Sequence, residues 1–186
     1  MASAFDAAKF FIGYNQGTEY DDISNMKLQK LLYYAQGHSL ERFGRVLFPE
    51  PIEAWEHGPV VRDVYVEYSN NKSAPIPSAT KGDVSRFDRD ELNLLHDVYQ
   101  EYGQYSASKL RDMTHGDGLA WSRVYKSPEE KRVIEKDLIA SDFENMYLDG
   151  EPNEETLEAI RELDEHPPQA MSFEEFATLM KNIESC

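Results

Sequence analysis

Five histidines, His38, His57, His96, His115 and His166, are the side chains of this 186-residue chain best suited to proton transfer or metal ligation near neutral pH. No two stand at i, i+4 spacing, so a zinc site would need ligands gathered from separate elements, and no metal is expected. Aspartate and histidine fall close together around His57 and again around His115, which would allow acid–base work. The same grouping, polar residues beside glycines, also ties loops together, and that structural reading is preferred. The chain has no Gly-Lys-Ser/Thr phosphate loop, dinucleotide glycine fingerprint, nucleophile elbow or His-Glu-x-x-His helix. Its one cysteine, Cys186, is the last residue, where a chain end frays and a nucleophile or ligand is poorly placed. Catalysis and cofactors are therefore not expected, and a binding role is.

Charge narrows the partners. The formal net charge of -16 opposes phosphate backbones, so nucleic acid is not expected as a direct ligand. The excess acid is uneven: residues 1–126 carry 14 basic and 18 acidic side chains, residues 127–186 carry 5 and 17. No apolar run approaches the roughly 18 residues that would span a bilayer, and the first residues show no signal-type pattern. The expectation is a cytoplasmic protein without a membrane partner. At 40% hydrophobic and 12% aromatic residues, the chain has the apolar side chains to offset the entropy of ordering itself.

Those residues must be positioned by helices. Phe5, Ala8, Phe11 and Ile12 predict a helix over residues 2–14, closed by Asn15-Gln16-Gly17. Ser24 predicts an N-cap for a second helix, ended by Gly44, with Leu28, Leu31, Leu32, Ala35 and Ser39 on one face and Lys27, Lys30 and Glu41 directed away. Residues 45–55, broken by Pro49 and Pro51, read as a short hairpin or extended loop. Gly58 then turns the chain, and Pro59 predicts the first turn of a helix with Val60, Val61, Val64, Tyr65 and Tyr68 toward the core. Residues 69–82 have loop composition. Asp88 and Glu91 predict a capping box for a helix to Tyr102, stopped by Gly103. Short helices are expected over 106–113 and 119–125. Ser127-Pro128-Glu129-Glu130 then predicts a helix from there to about Leu148. Acidic amphipathic helices are expected over 154–163 and 172–183, separated by Pro167-Pro168. The fold class is mainly α: a compact single-domain helical bundle with a short β-hairpin or extended segment near 45–55, plus an acidic helical C-terminal extension.

Two stretches carry a resemblance. Met26-Lys27-Leu28-Gln29-Lys30-Leu31-Leu32-Tyr33-Tyr34-Ala35-Gln36-Gly37 is followed by Leu47-Phe48 and by Ile52-Glu53-Ala54-Trp55-Glu56-His57-Gly58-Pro59-Val60-Val61. Later come Tyr102-Gly103-Gln104-Tyr105-Ser106-Ala107 and Leu110-Arg111-Asp112-Met113-Thr114-His115 to Trp121. Together they resemble the Panacea domain, which includes SocA-like antitoxins and phage-associated proteins, in the right order over about residues 5–126. Leu119-Ala120 departs from the pattern, standing where a proline often precedes the tryptophan. The resemblance implies a Panacea domain over 1–126 and an extension over 127–186 that lies outside it. It further implies an antitoxin that neutralises a neighbouring protein toxin by direct contact; the SocA branch instead resembles an adaptor that hands its toxin to an ATP-dependent protease. A small-molecule enzyme is the third and least favoured reading.

Two regions supply candidate partner-binding residues. The corner at Gly58-Pro59 carries the polar residues Glu53, Glu56, His57, Arg62 and Asp63 beside Trp55 around a rigid turn, and His115, in the loop 114–118, is a separate candidate. In the extension, Phe173, Phe176 and Leu179 would anchor an acidic segment in the basic cleft of a toxin that acts on RNA or nucleotides. The competing reading is that the extension folds back with a solvated acidic face.

Overall fold

Alanines and aromatic residues at helical spacing bury one side of α1 (Ala4–Tyr14), which packs against α2 (Asn25–Phe43). The computed structural model describes residues 2–14, 23–77 and 84–148. Both ends of α2 follow local signals. The Ser24 hydroxyl accepts from Lys27 N at 3.4 Å, and Gly44, at φ 62°, donates its N–H to Leu40 O at 3.0 Å. A residue with a Cβ would be strained in that left-handed conformation, so glycine is the natural stop.

The interior of α2 departs from the expected amphipathic pattern. Of its 19 residues, 14 are buried, including Asn25, Lys27, Gln29, Lys30, Gln36 and His38. Lys27 and Lys30, expected to point away from the core, are each 1% exposed. The reason is the company the helix keeps. It meets α1 on one side, α3 (Arg62–Glu67), α4 (Arg89–Tyr102) and α5 (Ala107–Thr114) on others, and a small sheet besides, so little of its circumference reaches solvent.

That sheet consists of β1 (Glu53–Trp55), β2 (Gly58–Val60) and β3 (Arg132–Val133), ordered β2-β1-β3 and antiparallel throughout. Trp55 faces Gly58 and Glu53 faces Val60 across the hairpin, while Val133 faces Glu53 on the other edge. The hairpin thus begins at Glu53, later than the expected 45–55 stretch, whose earlier part stays irregular. Pro59 lies in β2 opposite Ala54 and does not begin a helix; α3 starts three residues later. Val60, Val61 and Val64 are buried as expected, but Tyr65 is exposed. Nor does a helix begin at Ser127. Arg132 and Val133 pair with β1, Ile134 N donates to Ile52 O at 2.8 Å, and α7 (Lys136–Leu148) follows. Bonding to a sheet edge outweighs the local N-terminal signal of Ser127-Pro128.

Elsewhere local chemistry and structure agree. Both halves of the Asp88/Glu91 capping box at α4 are formed, and Arg45 reaches both acids, Asp88 at 2.8 Å and also Glu91. Ser106 caps α5, and α6 (Ala120–Val124) follows the loop 115–119. Where α2, α4 and α7 meet, Tyr34 stacks on Tyr102 with ring centroids 4.0 Å apart. Phe143 packs against Tyr33, Tyr34 and His38. A Cβ at Gly37 would lie 1.9 Å from the Phe143 ring, so only glycine lets α7 come this close. Tyr33 donates to Asp142 at 2.7 Å, and the same carboxylate accepts from Ala120 N at 2.9 and 3.0 Å. Burial raises the Asp142 pKa, and these hydrogen bonds and Arg123 offset part of the rise. His38 lies 3.1 Å from the Tyr102 hydroxyl, and burial lowers its pKa to about 4.

The chain divides into two units, Met1–Asn145 and Met146–Cys186. The first contains the sheet and all the packing just described. Of the second, only the end of α7 is described; the acidic helices expected over 154–163 and 172–183 lie outside the described residues. Among the described residues, no helix is long and apolar enough to cross a membrane, and no group of three His, Cys, Asp or Glu is placed to hold a metal ion.

Candidate functional site

The corner Trp55-Glu56-His57-Gly58-Pro59 is fixed by its backbone. Trp121, in α6, donates its indole N–H to Trp55 O at 2.7 Å. His115, at the end of α5, has Nε2 3.4 Å from Glu56 O and Nδ1 2.6 Å from Arg111 O, with its ring against that of Trp121 at 3.7 Å between centroids. Lys30 donates Nζ to Pro59 O at 2.9 Å. Three carbonyls of one short segment therefore face groups from α2, α5 and α6. Gly58 completes the fit: its φ is 103°, and a Cβ there would lie 2.6 Å from Lys30 Nζ.

Amide side chains of α2 extend the same grip. Gln29 Oε1 accepts from Val61 N at 2.9 Å, Gln29 Nε2 donates to Asn25 Oδ1 at 3.1 Å, and Asn25 Nδ2 donates to Tyr65 O at 2.9 Å. Two turns further on, Gln36 Oε1 accepts from Leu47 N and Phe48 N at 3.0 and 3.2 Å, and its Nε2 donates to Phe48 O at 3.1 Å. Asn25, Gln29 and Gln36, at i, i+4 and i+11, share one helix face. They pair the backbone of 47–65 in places where no neighbouring strand does so.

With the backbone turned inward, other groups face solvent. Glu56 and His57 are exposed at the turn, and Arg62 and Asp63 are exposed on the first turn of α3. Glu53 is half-buried and accepts from Trp55 Nε1 at 2.8 Å. Trp55 also packs against Tyr65, 4.9 Å between ring centroids, and Lys131 Nζ lies 4.7 Å from its ring centre. The structure thus gathers Glu53, Trp55, Glu56, His57 and His115 around one hairpin, with Arg62 and Asp63 just beyond it. It gives His115 a structural task, bridging loop and turn. Phe173, Phe176 and Leu179 lie outside the described residues.

Beside the corner opens a cleft of about 540 Å³. The first turn of α2 lines it at Ser24, Asn25 and Met26, as do Trp55 and Tyr65, and three cations, Lys30, Lys72 and Lys131, converge on it. Burial, with Arg111 nearby, lowers the Lys30 pKa to about 7. Lys72 sits on a backbone with φ 52° and ψ -118°, a conformation that side chains rarely adopt. Sequence reasoning missed these lysines because lysine is normally read as solvated surface. The available signal was the amide stripe of α2, a polar helix face opposite a segment too short and proline-broken to pair with itself.

These features define a class: a mainly helical domain whose central helix carries a small sheet and a fixed polar corner on its side chains. Residues 28–122 match the family described as antitoxin SocA-like, Panacea domain, and the chain belongs to that family. Antitoxin SocA of Caulobacter vibrioides (strain NA1000 / CB15N) is 35% identical over a 116-residue alignment that covers 57% of this chain and 62% of that protein. The match therefore covers less than two thirds of the relative's length. No solved structure matches the chain.

Proposed function

We propose that this protein is an antitoxin that neutralises a cognate protein toxin by binding it directly, with the corner at 53–63 as its contact surface. The observation that carries the reading is the division of labour at that corner. Its backbone is fixed from within by Lys30, His115, Trp121 and Gln29, while Glu56, His57, Arg62 and Asp63 stand exposed on it. A surface ordered before binding loses little entropy on association, which favours stable occupancy. Membership of an antitoxin family, and a relative that carries that name, support the same reading. The effect is by occupancy; turnover of a small molecule forms no part of it. The acidic extension adds a second contact in this proposal: Phe173, Phe176 and Leu179 enter a basic cleft of the toxin, and the surrounding acid steers the encounter.

Co-expression with the adjacent open reading frame tests this. That frame alone should arrest growth, this chain should restore it, and the two should co-purify without ATP. Charge reversal at Arg62 and Asp63 should weaken the complex while leaving the melting temperature unchanged. If the toxin disappears only when an unfolding protease is present, and no stable complex forms, the adaptor reading replaces this one. Deleting residues 151–186 separates the two contacts: loss of stability with binding intact would remove the extension from the proposal.

A further inference from the structure

Lys30 presents an unsolved electrostatic problem. Its side chain is buried, its Nζ makes one hydrogen bond among the described residues, to Pro59 O, and an ammonium has three donors. No acidic side chain among the described residues offsets its charge; the charged neighbour that acts on it, Arg111, has the same sign. A buried cation without a counter-ion is costly, so Lys30 gives up its proton more readily than a free lysine, and an anion beside it would favour the charged form again. Lys30, though only 1% exposed, is among the residues that line the cleft, so an anion held there lies beside it.

The rest of the cleft favours the same ligand. In a chain of net charge -16, Lys72 and Lys131 join Lys30 there, with Glu56 as the one acid on the lining. The first turn of α2, a 19-residue helix, forms part of the wall and adds the positive end of its dipole. Lys72, the one non-glycine residue with positive φ among the described residues, stands at the first corner of a turn closed by Ala74 N donating to Asn71 O at 2.9 Å. Trp55 and Tyr65 supply flat apolar surface at the same opening.

We infer that this cleft binds a carboxylate, seated on Lys30 and drawn in by Lys72 and Lys131, with Trp55 and Tyr65 packing the apolar body that bears it. Lys30 is the one buried cation of the three, and it balances one negative charge; Lys72 and Lys131 are exposed and solvated. The second charge of a phosphate dianion would therefore meet only solvated lysines, which favours a carboxylate. Two sources share the chemistry, a free carboxylic acid and an acidic side chain on a polypeptide, and the test separates them. The inference does not depend on the toxin reading, because the cleft can be filled in the toxin's absence.

Seating the anion requires protonated Lys30, held near 7 in the empty cleft, so binding must weaken as pH rises. The groups around Lys30 are Arg111 and Thr114 from α5 and the Pro59 carbonyl from the hairpin; His115, just after α5, meets the nearby Glu56 carbonyl, and Glu56, His57, Lys72 and Lys131 share the cleft lining. Because two histidines are in that company, Lys30 has to be observed directly, through its own 13Cε resonance.

The experiment titrates the full chain with 3-phenylpropionate, with a blocked tripeptide of glutamate between two phenylalanines, and with inorganic phosphate, at pH 6.5 and 8.5. One-site saturable binding of a carboxylate probe is expected at pH 6.5, about tenfold or more weaker at pH 8.5, with the Lys30 titration midpoint moving upward when the probe is bound. Tighter binding of the tripeptide assigns the carboxylate to a polypeptide, and tighter binding of phenylpropionate assigns it to a free acid. Lys30→Met should abolish binding. Because that change also unpairs Pro59 O, a K72E/K131E double variant, altered only at exposed positions, should weaken binding about tenfold at an unchanged melting temperature. The inference is overturned if neither carboxylate saturates at pH 6.5, if phosphate binds more tightly than both, or if binding survives in both the Lys30→Met and K72E/K131E proteins.

Discussion

The two halves of α2 both bury polar side chains, but they use them differently. In the first half, Asn25, Gln29 and Lys30 reach out to backbone atoms of Pro59, Val61 and Tyr65, leaving a cleft alongside. In the second half, Tyr33, Tyr34, Gly37 and His38 sit among the rings of Tyr102 and Phe143, and a methyl group would not fit at Gly37. Gln36 is the exception within this second half, because it still serves backbone at Leu47 and Phe48. One helix therefore combines a packed end that sets stability with a bonded end that sets the position of a surface. Polar residues fix a backbone without filling all the space around it, which is how an opening survives next to a core.

Several substitutions would test that contrast, and the largest effect is expected at Gln36. Gln36→Leu keeps the volume but strands two N–H groups and one carbonyl of a buried segment, so a loss of about 4 kcal/mol is expected in denaturant unfolding. A loss below about 1 kcal/mol would show that water replaces the amide and that the grip is dispensable. Gly37→Ala should cost about 3 kcal/mol by forcing α7 away from α2. Its melting temperature should fall while the hairpin 53–60 keeps its amide chemical shifts, because the two halves are distinct.

The packed half should also respond to acid. His38 is held near 4 in the folded chain, below its ordinary value near 6.5, so the unfolded state takes up a proton first as pH falls. Stability is thus complete above about pH 6.5 and is lost on the way down to pH 4, by about 2 to 3 kcal/mol from this group. Denaturant unfolding of His38→Gln should show a shallower decline across that window; an identical slope would remove His38 as the cause. The smallest effect is expected outside the core. Arg62→Ala and Asp63→Ala should each change stability by less than about 0.5 kcal/mol, a difference read from thermal melts.

Legibility in the sequence divides along the same line. Ser24 and Gly44 announce the limits of α2, and Asp88 with Glu91 announces α4, because caps act through atoms within a few residues. The mainly helical class and the position of the corner were equally plain. Pro59 and Ser127 misled for one reason: each carries a good local start signal, and each lies where a sheet claims the backbone, β2 in one case and the approach to β3 in the other. A strand of two or three residues leaves no periodicity to read. The burial of Lys27 and Lys30 was hidden because a helical wheel assumes one wet face, and α2 has almost none. The candidate surface was visible through Trp55, His57 and Gly58, whereas the lysine-lined cleft beside it depends on Lys30, Lys72 and Lys131, which are distant in sequence and meet only after folding.

The amide protons of Leu47, Phe48 and Val61 belong to no helix, and glutamine oxygens of α2 accept all three. Ordinary loop amides trade hydrogen for deuterium through small local openings, but these can do so only when α2 itself separates from the segment. In heavy water they should persist as long as the amides of the helix interior, and their disappearance would time the opening of the whole domain.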